Sequence, residues 1–136
     1  MSTFFNDIEA ALMTQLSTLS GAPDIAYPNI NYEPTTGSAY LRANMIPVET
    51  LQASLGTSGK DETNGILQID VVQPAGEGRS TLPDSIADHF KRGTVMSYNG
   101  VNVRVRSVSI GSAIREEAWY FVPVSIDFQS YTEART

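Results

Sequence analysis

The chain has 136 residues, 41% of them hydrophobic and 18% charged, no cysteine, and 15 Asp and Glu against 9 Lys and Arg, a formal net charge of −6. That length and apolar content suit one domain, residues 1–136, with one core. The acidic balance excludes a surface built to grip DNA or anionic membranes, which would gather Lys and Arg against phosphate. The missing cysteines exclude disulfides, thiolate nucleophiles and Cys-ligated zinc. No stretch is long and apolar enough to span a bilayer. The first residues, MSTFFNDIEAALMTQLS, lack a basic n-region and carry Asp7 and Glu9, unlike a secretory signal. The expected site of synthesis and use is a cytoplasm.

In chain order, the first element is a helix over 3–19. Phe5, Ile8, Leu12, Leu16 and Leu19 fall at three- and four-residue steps, which is one helical face. Ser2 or Thr3 can cap it, and Asp7 and Glu9 suit the positive end of its dipole. Gly21 and Pro23 end it. Phe4, Ala11 and Met13 lie off the main stripe, as edge residues or as a contact between subunits.

IAYPNINYEP and GSAYLRANMIPVE are rich in strand formers and interrupted by proline. Pro28 lacks the amide a central ladder needs, so the first run is an edge strand or irregular. In the second run Tyr40, Arg42 and Asn44 alternate with Leu41, Ala43 and Met45, a half-buried strand. Residues 51–65, LQASLGTSGKDETNG, are polar and glycine-rich, and predict a long surface loop. GILQIDVVQ then puts Leu67, Ile69 and Val71 on one face of a strand, with Gln68 and Asp70 on the other.

The second helix is predicted over 82–92, with Thr81 as N-cap, Pro83 in the first turn, Leu82, Ile86 and Phe90 as its stripe, and Gly93 ending it. The rest is β. Asn99-Gly100 marks a tight hairpin. Val101, Val103 and Val105 share a parity that Val108 and Ile110 reverse, so a bulge is expected near Ser107. In the last strand Tyr120, Val122, Val124, Ile126 and Phe128 share a face, and Pro123 implies a bulge or an edge. The order gives an α+β fold, a mainly antiparallel β-sheet with two helices packed on one face.

The candidate chemistry is thin. QPAGEGRST opens the second helix as a phosphate loop would, but the first glycine of a P-loop is missing. Thr81 also stands where a dinucleotide fingerprint needs its third glycine. Glu77 and Asp84 would repel a phosphate from that helix N-terminus, so Gly76 and Gly78 read as a bend that sets the helix on the sheet. His89, the only histidine, borders an apolar stripe and has no nucleophile or orienting acid nominated beside it. Glu116 and Glu117 are adjacent, and neighbours on a strand would face opposite ways, so they read as a solvated loop end and not as an acid/base pair. No catalytic, cofactor-binding or metal-ligating set emerges, and an enzyme is not expected. Arg104 and Arg106 share a parity, as a stripe toward DNA or a row that pairs with acids on a neighbouring subunit. The acidic chain favours the pairing.

The ordered set IAYPNINYEP, GSAYLRANMIP, LQASLG, NGILQIDVVQPAGEG, LPDSIADHFKRGT and AWYFVPVSIDF resembles the tail terminator proteins of bacteriophages with long non-contractile tails, over roughly Ile25 to Phe128. The resemblance implies an α+β subunit of a virion, assembled in the host cytoplasm. It implies a homo-hexameric ring that caps the head-proximal end of the tail tube, ends tube polymerisation and presents a docking surface to head-completion or connector proteins. DNA would pass through the lumen without specific binding, and no membrane or cofactor is involved. Another head–tail connector or a tail-tube component is the alternative, with a small nucleotide-binding domain or hydrolase behind it. Charge and exposure nominate Arg42, Asp70, Arg79, Arg104, Arg106, Glu116 and Glu117 as interface residues, the arginines reaching acids such as Asp70 or Asp127 across subunits. The polar stretches 51–65 and 111–117 are the expected docking loops.

Overall fold

The computed structural model describes residues 3–28, 33, 38–52, 60–76, 80–116 and 118–133, the side chains of 47–52 and 133 excepted. The elements in order are α1 (Phe4–Ser17), β1 (Asp24–Ala26), β2 (Tyr40–Gln52), β3 (Lys60–Pro74), α2 (Leu82–His89), β4 (Val95–Tyr98), β5 (Val101–Ile110), β6 (Ile114–Glu116) and β7 (Trp119–Glu133). The strands make one sheet in the order β1-β2-β3-β7-β5-β4, with β6 paired to β7 off that path. Among the described residues only β1 and β2 run parallel. Both helices pack on the same face, α1 over β4 and β5 and α2 over β7 and β5. This is the expected α+β arrangement.

The core lies between helices and sheet. Ile8, Leu12 and Leu16 of α1, with Ile86 and Phe90 of the α2 region, meet Leu41, Ala43, Leu67, Ile69, Val71, Val103, Val105, Val124, Ile126 and Phe128. These are the alternate positions of each strand, brought into rows by the register Ala43↔Ile69↔Val124 and Met45↔Leu67↔Ile126. Ala11, off the helical stripe, is buried as well, and Phe4 and Met13 pack against the core margin.

A line of irregularity crosses the sheet. β2 shifts register between Pro47 and Glu49, and β5 shifts between Val105 and Ser107. Both shifts lie on one row, because Pro47 pairs Gly65, Gly65 pairs Phe128, and Phe128 pairs Val105. Bulges bend a strand and raise its twist, so aligned bulges curl the sheet along one line. Gly65 permits the inner contact there. A Cβ on it would lie 2.5 Å from Cζ of Phe128 and 3.0 Å from the carbonyl oxygen of Ile46. The buried Phe128 ring fills the space that Gly65 leaves.

Several expectations are corrected. The loop predicted over 51–65 is largely strand: β2 runs through Gln52 and β3 begins at Lys60, while 53–59 lie outside the described residues. Asp61 to Asn64 are polar on both parities, which hid the strand. Their backbone groups are nonetheless paired on both sides, to β2 and to β7. The loop predicted over 111–117 contains β6, and Glu117 is not described. The helix predicted over 3–19 spans Phe4–Ser17, and the one over 82–92 stops at His89. Gly93 takes φ +92, but its N–H bonds the Val105 carbonyl, so it serves the entry to β4. Thr81 makes no side-chain cap. Ser80 Oγ accepts from the Leu82 N–H instead, at 3.1 Å.

Pro123 is neither at an edge nor in a bulge. β7 is internal, paired to β3 throughout. On its other side β5 ends at Ile110↔Val124 and β6 begins at Ile114↔Phe121, so Pro123 sits at the break. Its carbonyl accepts the Gly111 N–H at 2.8 Å on that side. A strand residue directs N–H and C=O to the same side, so the missing amide falls where no ladder bond is required. The Asn99-Gly100 hairpin forms as expected, with φ of 50° and 80°, the mirror-image turn that suits strand twist.

Candidate assembly surface

The face of the sheet opposite the helices carries the other parity of every strand. Arg42 of β2 stands across from Asp70 of β3, and donates to its Oδ2 from Nε at 3.1 Å and Nη2 at 2.8 Å. Gln68 Nε2 donates to the other carboxylate oxygen at 3.1 Å. Asp70 is 4% exposed, so this network satisfies a buried carboxylate. Arg42 also lies over Phe121, its guanidinium carbon 5.5 Å from the ring centroid. Tyr40 meets Trp119 edge to face at 5.8 Å. Together Tyr40, Arg42, Val72, Trp119, Phe121 and Glu116 line a shallow groove of about 490 Å³. Its Trp, Tyr and Arg are the residue types that anchor protein–protein contacts.

Beyond the bulge line the same face is polar. Glu62 of β3 pairs Tyr131 of β7 and accepts its hydroxyl at 2.8 Å, with Asn64 Nδ2 donating to the second oxygen at 2.9 Å. These two hydrogen bonds hold the Glu62 carboxyl below its usual range, and the bond to Glu62 pushes the Tyr131 phenol up. Arg106 reaches toward Asn64 at 3.5 Å. Arg104 borders a second hollow, of about 270 Å³, with Val95, Asn102, Gln129, Ser130 and Tyr131. Ile46, Val95, Ile114 and Tyr131 are exposed by 43–60% on this face.

The nominated residues separate accordingly. Arg42 and Asp70 pair within one chain, so the cross-subunit bridge drawn between them is not needed to satisfy either. Asp127, the other acid named for such a bridge, accepts from Ser107 Oγ of its own chain at 3.1 Å. Arg104 and Arg106 keep a common neighbourhood near Tyr131, although the bulge at Arg106 interrupts the simple alternation that suggested a stripe. Glu116 is exposed at the end of β6, opposite Trp119, on the rim of the groove. Arg79 and Glu117 lie outside the described residues. Sequence reasoning missed Tyr40, Phe121 and Trp119 as one cluster. Their parity was legible, but their meeting depends on the register Tyr40↔Val72↔Phe121.

His89 is half-buried between the helices. Its Nε2 lies 2.6 Å from the Gln15 carbonyl oxygen and 3.0 Å from Thr18 Oγ1, and Gln15 Nε2 donates back to the His89 carbonyl at 3.1 Å. The imidazole ties α1 to α2. Asp7, also buried, accepts from Thr3 Oγ1 and from Asn99 Nδ2, joining the start of α1 to the β4–β5 turn. Both polar residues are absorbed by packing. Among the described residues no group of three or more His, Asp and Glu is placed to hold a metal, and no helix is long and apolar enough to cross a membrane.

The sheet thus has one face covered by helices and presents aromatic, arginine and aliphatic side chains on the other. The chain belongs to the phage tail terminator protein family, whose model matches residues 7–128. One solved structure superposes with a TM-score of 0.76 at 26% identity, covering 95% of this chain and 96% of that one. A chain in the virion of a native gene transfer agent particle superposes with a TM-score of 0.59 at 15% identity, covering 98% of this chain and all of that one, a likeness of fold. No curated protein matches the sequence.

Proposed function

We propose that this protein caps the head-proximal end of a phage tail tube as a hexameric ring, stops tube polymerisation there, and offers its outer surface to head-completion or connector proteins. The observation that carries this reading is the family match over nearly the whole chain. The particle from which one structural relative comes supports a place in the virion. The work is done by binding. Six copies at −6 each give 6 × −6 = −36 for the ring. A ring of that net charge lets DNA slide, because few phosphates are neutralised and few counterions released. Assembly takes place in the host cytoplasm before the tail joins the head.

The test is electron microscopy of the purified protein mixed with its tube. One ring on one end of each tube, and longer tubes when the protein is left out, is the expected result. Filaments built from the protein alone would identify a tube component instead.

A further inference from the structure

Charge is divided across the sheet. β7 stands in the middle, with β3, β2 and β1 on one side and β5, β4 and β6 on the other. Residues 24–74, which carry β1 to β3, hold six Asp and Glu against two Lys and Arg, a net of −4. Residues 91–116, which carry β4 to β6, hold five Lys and Arg against one Glu, a net of +4 in a chain of −6. Counting α2 as well, with Asp84 and Asp88, leaves that side at +2. The molecule is therefore polarised from one edge of its sheet to the other.

The cations of the basic flank are uncommitted within the chain. Lys91, Arg92, Arg104, Arg106 and Arg115 are all exposed, and among the described residues none of them forms an ion pair. Arg106 has a neutral partner, Asn64, at 3.5 Å. On the acidic flank Asp24 and Glu33 are exposed, with Asp24 on the outermost strand. Arg42, one of the two cations there, is already paired to Asp70. Like charges gathered on one edge repel one another, and an edge of opposite sign relieves that repulsion and orients the approach.

The outer strands stand at opposite ends of β7. β1 is level with residues 121–123, through 40–42 and 70–72. The lane of β4 is entered at Gly93 and Thr94 beside Val105, level with Phe128, and runs away from the end that β1 holds. Like-oriented copies can therefore set β1 of one and β4 of the next in one lane without overlap of the described strands. We propose that the acidic β1–β3 flank of one copy docks on the basic β4–β6 flank of the next. The occupant is a second copy, because the two flanks are opposite in sign and lie on opposite edges of one molecule. A contact between two different patches is heterologous, the kind that builds rings. This inference rests on the ring reading above and specifies its contact.

The test is complementation between two variants of the full chain, followed by native mass spectrometry. Asp24→Lys/Glu33→Lys spoils the acidic flank, and Arg104→Glu/Arg115→Glu spoils the basic one. Each alone should need about tenfold or more protein to assemble, at an unchanged circular dichroism melting midpoint. Mixed in equal amounts, they should form a two-chain species of one copy each, at a concentration where each alone is monomeric, because each keeps the flank that the other lost. Should a double variant lose its fold, Glu33→Lys and Arg115→Glu give the same readout at exposed positions. Variants that form rings as readily as wild type overturn the flank contact and leave the ring reading standing. Folded variants that stay monomeric alone and also when mixed overturn it too. Wild-type chains that never assemble, even on tubes, overturn both.

Discussion

The two faces of one sheet make different use of the same strands. At the centre of the helix-covered face the side chains are apolar, buried and interlocked along rows such as Ala43, Ile69 and Val124. On the open face, alternate residues of those strands form a hydrogen-bonded ion pair, an aromatic groove and an exposed aliphatic fringe. The first face holds the fold by removing area from water. The second is left for contacts with other molecules. Substitutions on the two faces should therefore separate stability from assembly.

The largest effect belongs to the covered face. Phe128→Ala empties the space over Gly65 and should cost about 3–5 kcal/mol, read as a lower denaturation midpoint with little change in slope. Gly65→Ala attacks the same contact from the other side. With Phe128 Cζ 2.5 Å from the new Cβ, an overpacking cost of about 1–3 kcal/mol is expected. Phe128→Leu in the same chain should recover part of it. A Gly65→Ala protein as stable as wild type would show that the bend line tolerates a side chain.

On the open face, Asp70 is the exception that contributes to stability. Removing Arg42 leaves a buried carboxylate held by Gln68 alone, so Arg42→Ala should cost about 1–2 kcal/mol, moderated by the exposure of the guanidinium. A double-mutant cycle with Asp70→Asn should give coupling in the dilute monomer. Coupling seen only in the assembly would return the pair to the role between subunits first assigned to it. By contrast, Val95→Asp, at a residue 60% exposed, should move stability by no more than about 0.5 kcal/mol. Its effect, if this part of the face is an interface, is on assembly measured by mass photometry.

The smallest effect is a titration. The Glu62 carboxyl is held low by Asn64 and Tyr131. Its contribution to the fold is present above the unfolded carboxylate pKa and is lost as pH falls through the lowered folded value. The Tyr131 phenol is raised by the same hydrogen bond. Its contribution is present below the unfolded phenol pKa and is lost as pH rises through the raised value. Tyr131→Phe should move the Glu62 carboxyl carbon titration, followed by NMR, upward toward the free value. An unmoved titration would place its cause in Asn64.

Local pattern was enough for α1, α2, the Asn99-Gly100 turn, the bulge beside Ser107 and the apolar faces of β3 and β5. Each depends on residues within a few positions of one another, where period and turn chemistry act. The polar ends of β2 and β3 were read as a loop because composition reports burial, whereas a ladder is held by backbone groups that every residue carries. The interface residues were nominated singly, from charge. Their partners came from strands far apart in the chain, as Arg42 and Asp70 show.

The sequence by itself determined the class of fold and the sealed face, since hydrophobic period suffices for those. Only the tertiary structure decided which acid Arg42 meets, why a central strand tolerates Pro123, and which side chains gather in the groove of the open face. Those are properties of register and strand order, and they are set by contacts between segments tens of residues apart.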